Sequence, residues 1–406
     1  MERADVIILG GGLVGLTLAI ALDAHGLSSV VVDPADPANT LTAQYDGRAT
    51  AVASASFRML ETIGVAARLE GQGCPIARIR VSDGLAPGGL VFDPPQSDDP
   101  LGMMFENRLL RAALRDTALA AGNITLLMPA GPAEVIRDGA GVRVALDDGR
   151  LLAAPLLIGA EGRTSPAREA AQIPLARWSY DHAAIVATIT HERGHENTAY
   201  EIFYPAGPFA ILPMLAGEDG RNRSAIVWSV AARDAAGMLD LPDRALAAEI
   251  EKRMGGFLGP IALAGPRISY RLGFHHAATI TAERLALVGD AAHGIHPIAG
   301  QGLNLGFRDA AALAQVLVEG ARLGLDLGDV RLLARYERWR SLDTLMVAAA
   351  TDGLTRLYGV PGKTASAVRR LGMRAVQRIA PLKDRLMAEA RGESGDQPLL
   401  LRGLPI

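Results

Sequence analysis

The chain has 406 residues, of which 49% are hydrophobic and 21% charged, with a net charge of −3. That length carries one large or two to three modest domains with an ample core, and the composition excludes a disordered chain. The small net charge gives no reason to expect a nucleic-acid partner. A single cysteine, Cys74, excludes an intramolecular disulfide and a cysteine-cluster metal site, and suits a reducing cytosol.

Val6-Ile7-Ile8-Leu9 reads as a buried strand, and Gly10-x-Gly12-x-x-Gly15 turns it into a helix running to about His25, with Gly26 as its stop. Val30 to Val32 is the next strand and ends at Asp33. Strand, glycines, helix and terminal acid form a complete β-α-β dinucleotide unit. The glycines supply the tight turn, room for a pyrophosphate and close helix–strand packing, and Leu13 and Val14 between them are expected at the cofactor as well. Asp33 is placed to bind an adenosine ribose, and its charge argues against NADP here, whose 2′-phosphate would face a carboxylate. The glycines also interrupt the apolar run from Val6 to Leu22, which no basic segment precedes. It is therefore expected to be neither signal peptide nor transmembrane helix.

Ser54 to Ile63 reads as a helix closed by Gly64. From Cys74 to Pro100 the composition shifts to Gly, Pro and Asp with short strands such as Ile79-Arg80-Val81, a first excursion into a second domain. Phe105 opens a helix to about Ala121. Val142 to Leu146 and Leu151 to Ala154 form a hairpin about Asp147-Asp148-Gly149. Leu156 to Ile158 is another buried strand. Between Arg177 and Leu272 strand-like runs follow one another (184–189, 200–204, 209–212, 224–230 and 268–272), with one clear helix, Pro242 to Met254. Strands in succession predict an antiparallel sheet.

Leu285 to Val288 is apolar on both faces and stops at Gly289-Asp290. Pro297, Gly300 and Gly302 punctuate the loop that follows, and a long helix starts near Leu303 and continues to about Leu323. Its first turn presents bare N–H groups to an electron-rich or anionic ligand, and Asp290 can accept from a ligand hydroxyl. By residue type this is a cofactor site; an ordinary strand-loop-helix corner would read the same way. His293 and His296 lie three apart, but without Cys or a placed carboxylate no metal is expected. Tyr336 to Leu354 is a helical run. Lys363 to Arg391 reads as a closing amphipathic helix. Val368, Leu371, Ala375 and Ile379 share one face, and Arg369, Arg370, Arg374 and Arg378 lie largely away from it.

The order GDAAH, then HP, then AGQGLNLGFRDA resembles the second flavin-contacting motif of FAD-dependent aromatic hydroxylases, most closely those of ubiquinone biosynthesis. The resemblance implies that Asp290 meets the ribityl chain of FAD, that Pro297 sits beside the flavin ring, and that Gly300, Gln301, Gly302, Leu303 and Asn304 run along it. Asp46-Gly47-Arg48 resembles an Arg-bearing loop near the flavin; a surface salt bridge is the other reading of Arg48. Glu106-Asn107-Arg108 matches a segment beside the cofactor, where the planar fork of Arg108 would suit a pyrophosphate. Gly159-Ala160-Glu161-Gly162, with Ser165 and Arg168, resembles a further motif in which Glu161 stands where the family prefers Asp. Glu201-x-Phe203 and the run from Gly207 to Pro213 resemble the substrate domain. Phe203, Leu212, Pro213 and Trp228 are its candidate pocket walls, with core packing the alternative for each.

The implied fold is α/β, in part α+β, like that of p-hydroxybenzoate hydroxylase. A Rossmann-type FAD domain (1–73, 101–176 and 273–328) would carry an inserted antiparallel-sheet substrate domain (74–100 and 177–272), followed by a C-terminal helical region (329–406). The implied reaction hydroxylates the ring of a prenylated phenol on the way to ubiquinone, using O2 and reduced FAD through a flavin hydroperoxide, with NAD(P)H or a ferredoxin as electron donor. No catalytic side chain is identified. A hydroxylase of a small soluble aromatic, or a non-catalytic flavin-binding subunit of a quinone-biosynthesis complex, are the alternatives. A substrate dissolved in the bilayer implies a cytoplasmic enzyme working on the inner face of the membrane. Its basic C-terminal helix is suited to anionic lipid or to other ubiquinone-biosynthesis proteins, and a docked helix with a solvated basic face is the plainer reading. On the docking reading, removal of 363–406 would spare FAD binding.

Overall fold

The computed structural model describes residues 1–40, 47–87, 89–94, 99–294, 301–341 and 362–406. Pro297, Gly300, Asp46 and His296 lie outside them, as does the 342–354 part of the expected helical run.

The strands that read as apolar on both faces form the centre of a six-stranded sheet. Its order is Thr281–Ala282, Leu285–Leu287, Leu156–Gly159, Val6–Leu9, Ser29–Val32, Ile124–Leu127. All neighbours are parallel except the first pair. The helix Leu13–Asp23 packs on both Asn107–Ala120 and Gln301–Arg322, so the sheet is covered as a parallel sheet must be. The predicted start of the Asn107–Ala120 helix is corrected. Phe105 and Glu106 instead finish the strand Gly102–Glu106, because they pair across to Thr50 and Ala49. Tertiary pairing overrides local helix propensity there.

The second sheet runs His293–Gly294, Ile268–Ala277, Leu175–His191, Asn222–Ala231, Gly207–Met214, Thr198–Tyr204, Arg78–Asp83, Leu90–Phe92. Neighbours are antiparallel except Thr198–Tyr204 against Arg78–Asp83, which are parallel. Chain from the 74–100 stretch thus forms one edge of a sheet otherwise built a hundred residues later. The helix Asp243–Met254 backs one face with Leu246, Ile250 and Met254, against Phe209, Ile211 and Trp228. Each such burial contributes about 1.5–3 kcal/mol. The other face looks toward the six-stranded sheet.

The C-terminal segment departs furthest from expectation. It forms two helices, Lys363–Arg378 and Ala380–Ala390, broken at Ile379. Pro381 explains the break: it has no N–H to continue the ladder and sits instead in the first turn of the second helix. The docked face is also rotated. Val368 and Leu371 are 62% and 68% exposed, while Arg369 and Met373 are buried. Arg369 Nη2 pairs with Asp83 Oδ1 at 3.1 Å, Ser366 also donates to Asp83, and Gln377 accepts from Val91 N–H. The tail beyond Ala390 then returns to the core around the six-stranded sheet. Leu400 and Leu401 are buried in the main core, and Arg308 donates to Gly392 O at 2.7 Å. Removal of 363–406 would uncover that core, so it does not isolate docking from folding.

Candidate active site

The first glycine turn is built for close approach. Gly10 has φ +106°, and a Cβ there would lie 2.4 Å from Ala160 O. A Cβ on Gly15 would fall 2.0 Å from Gly10 O, whereas one on Gly12 would meet nothing within 4 Å. Gly12 caps the helix without a side-chain bond, leaving first-turn N–H groups available over open space. Asp33 accepts from Gly11 N–H at 2.7 Å and from Ala35 N–H at 2.8 Å. A carboxylate has about four acceptor positions, so capacity for ribose hydroxyls remains.

The second turn meets the first at Val14. A Cβ on Gly306 would lie 2.6 Å from Val14 Cγ2, and one on Gly289 3.2 Å from it. Two stretches nearly 300 residues apart therefore converge. Gln301, Gly302, Leu303 and Asn304 open the helix Gln301–Arg322. Asn304 Oδ1 accepts from Ala53 N–H at 2.8 Å, and its Nδ2 donates to Ala51 O at 3.0 Å. This side chain ties the helix start to the strand Ala49–Ala53. Asp290 is half-exposed and accepts from Arg163 Nε at 3.2 Å. Behind it, Asp309 bonds Gly289 N–H, His293 and Arg340 in full burial. His293 is thereby used in holding the turn, which accounts for it without a metal. An FAD fits these features: open space over Gly12 and Gly302, helix-start N–H groups at both turns, and acids at both strand ends.

Three residues expected at the cofactor have protein partners of their own. Arg108 Nε pairs with Glu106 Oε2 at 2.7 Å, and Arg223 holds the other oxygen at 3.1 Å. Glu106 is buried and draws Arg108 toward itself. Glu161 accepts from Ser165 Oγ and from Ala167 N–H, capping the short helix Pro166–Ala170. Burial raises its carboxyl above the usual range, opposed by those hydrogen bonds. Arg48 is exposed, and its carbonyl accepts from Asn107 N–H at 3.0 Å.

Between the two sheets lies a cavity of about 890 Å³. Leu13, Val14, Asp290 and the Gln301–Asn304 turn line one side. Phe203, Leu212, Ala210, Val227 and Glu201 line the opposite side, and Met373, Val376 and Leu386 of the C-terminal helices close it. Of the expected walls, Phe203 and Leu212 are present. Pro213 and Trp228 are not among the lining residues, because side chains alternate across a strand. Trp228 points to the other face, edge-on to Phe209 at 5.8 Å, and Pro213 follows Leu212 out of phase.

Sequence reasoning set Asn107 beside the cofactor and Glu201 in the substrate domain without naming either as a site residue, and it missed Arg163, Tyr270 and the Met373 face; all of these line the cavity. Glu201 was legible: a residue two before Phe203 shares its side of the strand. Arg163 and Tyr270 carried no such signal.

A family profile described as FAD binding domain matches residues 3–349. The chain is 47% identical over 406 residues to ubiquinone hydroxylase UbiL of Rhodospirillum rubrum, covering 99% of this chain and 94% of that protein. It is 32% identical over 397 residues to 3-demethoxyubiquinol 3-hydroxylase of Escherichia coli, covering 96% and 99%. The crystal structure of p-nitrophenol 4-monooxygenase PnpA from Pseudomonas putida superposes with a TM-score of 0.79 at 16% identity, covering 98% of this chain and all of that one, which is a likeness of fold.

Proposed function

The chain belongs to the FAD-dependent monooxygenase family that contains the ubiquinone-biosynthesis hydroxylases, and from that premise we propose that it hydroxylates the ring of a prenylated phenol. One observation carries the choice of substrate. The cavity runs from the flavin turns across an apolar wall to the C-terminal helices, with Ile79, Val81, Leu90 and Phe92 along the way. A small polar aromatic needs no such length of apolar wall. A prenyl tail gains about 0.8 kcal/mol for each CH₂ it buries there.

When bound, FAD supplies the oxygen-activating chemistry, with O2 as co-substrate and NAD(P)H or a ferredoxin as electron donor. The chain's own residues bind and orient. The Gly10–Gly15 turn and its helix start hold the pyrophosphate, and Asp33 and Asp290 accept from ribose and ribityl hydroxyls. Gln301–Asn304 would hold the flavin ring, where the helix start would favour negative charge on it. Phe203 and Leu212 hold the substrate ring and exclude water. In a deletion strain, mass spectrometry of quinone intermediates is expected to show one accumulated prenylated phenol lacking a ring hydroxyl. An unchanged intermediate profile would remove the proposal.

The same substrate supports work at a membrane. No described helix is long and apolar enough to cross one. The C-terminal pair instead exposes Val368, Leu371, Ile379 and Leu382 beside Arg370, Arg374, Arg378 and Lys383. Met373 and Val376 of the same helices close the cavity, and Val368 stands at its edge. Apolar and basic residues together on one exposed face suit an anionic lipid surface. Exchanging Arg370, Arg374 and Arg378 for Glu is expected to weaken sedimentation with anionic vesicles by about tenfold or more, while FAD content stays unchanged. Equal sedimentation of variant and parent would reject the docking face.

A further inference from the structure

Glu201 lies in the strand Thr198–Tyr204, with Ala199 and Phe203 on the same side of that strand. Its neighbours across the sheet are Ala210 on one side and Val81 on the other. All five residues line the cavity, so the carboxylate stands on a wholly apolar patch of wall. No hydrogen bond or ion pair holds it among the described residues. The other charged groups on the cavity are accounted for: Arg163 pairs with Asp290, and Arg369 with Asp83. An uncompensated carboxylate in apolar surroundings is costly unless a ligand supplies a donor. The flavin turns form the facing wall, and the donor that a phenol brings between them is its hydroxyl.

We propose that Glu201 binds the ring hydroxyl of the substrate and takes up its proton as the ring is oxygenated, an inference that rests on the hydroxylase reading above. The phenolic O–H bond breaks, and its electron pair stays on oxygen and activates the ring carbon under attack. The proton forms a new O–H bond on a Glu201 carboxylate oxygen. Once that carbon has gained its hydroxyl, the C–H proton migrates to the dienone oxygen and restores a phenol. Glu201 releases its proton to solvent. The oxygen atom comes from O2, whose O–O bond breaks: one atom enters the ring and the other leaves as water, with two electrons from NAD(P)H or a ferredoxin and two protons from solvent. Burial pushes the carboxyl of Glu201 up to about 7, so it can exchange a proton near neutral pH. Arg163, Asp290, Tyr200, Tyr270, and the Asp83–Arg369 pair are the other titratable groups facing this space.

The test uses full-length holoenzyme, a prenylated phenol in detergent micelles and the electron donor that supports turnover. Wild type is expected to gain kcat as pH rises through about 7. E201Q keeps the shape and a hydrogen bond but cannot take the proton. It is expected to lose about 100-fold or more in kcat, with KM and FAD content little changed and the pH-dependent rise gone. E201D, which restores the carboxylate, is expected to recover that rise. An active wild type beside an E201Q of kcat within about twofold and an unchanged pH profile would overturn this assignment alone. A wild type that binds FAD but does not hydroxylate the phenol overturns the substrate reading, and this assignment with it.

Discussion

Replacing Asp309 by alanine is expected to lower the free energy of unfolding by about 3–5 kcal/mol, the cost of removing one partner from a buried ion pair. Asp309 and Arg340 are almost completely buried, with Arg340 Nε 2.7 Å from Asp309 Oδ1. The other oxygen accepts from His293 Nε2 at 2.6 Å and from Gly289 N–H at 2.9 Å. One carboxylate thus joins the strand end at Leu287, the cofactor turn, the helix Gln301–Arg322 and the helical residues 330–341. Burial alone would raise its pKa, but the charges of His293 and Arg340 and their hydrogen bonds prevail and bring it to about 2, below the ordinary 3.8. The sign follows from linkage. A lowered carboxyl contributes stability that is complete above its unfolded value and is lost as pH falls through about 2. Urea unfolding of D309A and parent at neutral pH measures the difference; a loss under about 1 kcal/mol would show that the cluster is not structural. FAD retention is expected to fall too, since Gly289 loses the acceptor that fixes its turn.

Gly15→Val is expected to yield protein that retains no FAD, weakened by about 100-fold or more. The added Cβ would lie 2.0 Å from the carbonyl oxygen of Gly10, a backbone atom that cannot turn aside. Moving Gly10 is blocked in turn, because it packs on Ala160 at a φ that side chains rarely adopt. The helix must therefore tilt away from the strand, and its N–H groups leave the pyrophosphate position. Gly12→Ala is the contrasting case. Its Cβ meets no protein atom within 4 Å, so folding should be unchanged while FAD affinity drops. Bound-flavin absorbance after desalting reads both. Yellow, stoichiometric G15V would refute the packing argument.

Much of the fold was legible because it is local. A fully apolar strand followed by spaced glycines has one economical fate, and the strand Val6–Leu9, the helix Leu13–Asp23 and Gly26 follow it. The helix Asp243–Met254 and the hairpin Gly141–Leu146 with Leu151–Ala154 were readable for the same reason. The site was less so. Arg108 and Glu161 match motif positions, but spacing did not show that Glu106 and Ser165 would bond them. Those partners belong to packing rather than to spacing.

Chain order and residue type alone determined the two glycine turns, the acids that end their strands and the succession of β-strands between them, since each depends on neighbours within a few residues. Tertiary structure decided which side of a strand or helix looks into the cavity. Trp228 and Val227 are adjacent in the chain and face opposite ways, and only the docking of the Asp243–Met254 helix assigns Trp228 to the core. The C-terminal helix carries two apolar stripes of similar strength, one through Val368 and Leu371 and one through Met373 and Val376. Asp83, nearly 300 residues away, selects the second by burying the charge of Arg369, an interaction that helical periodicity does not encode.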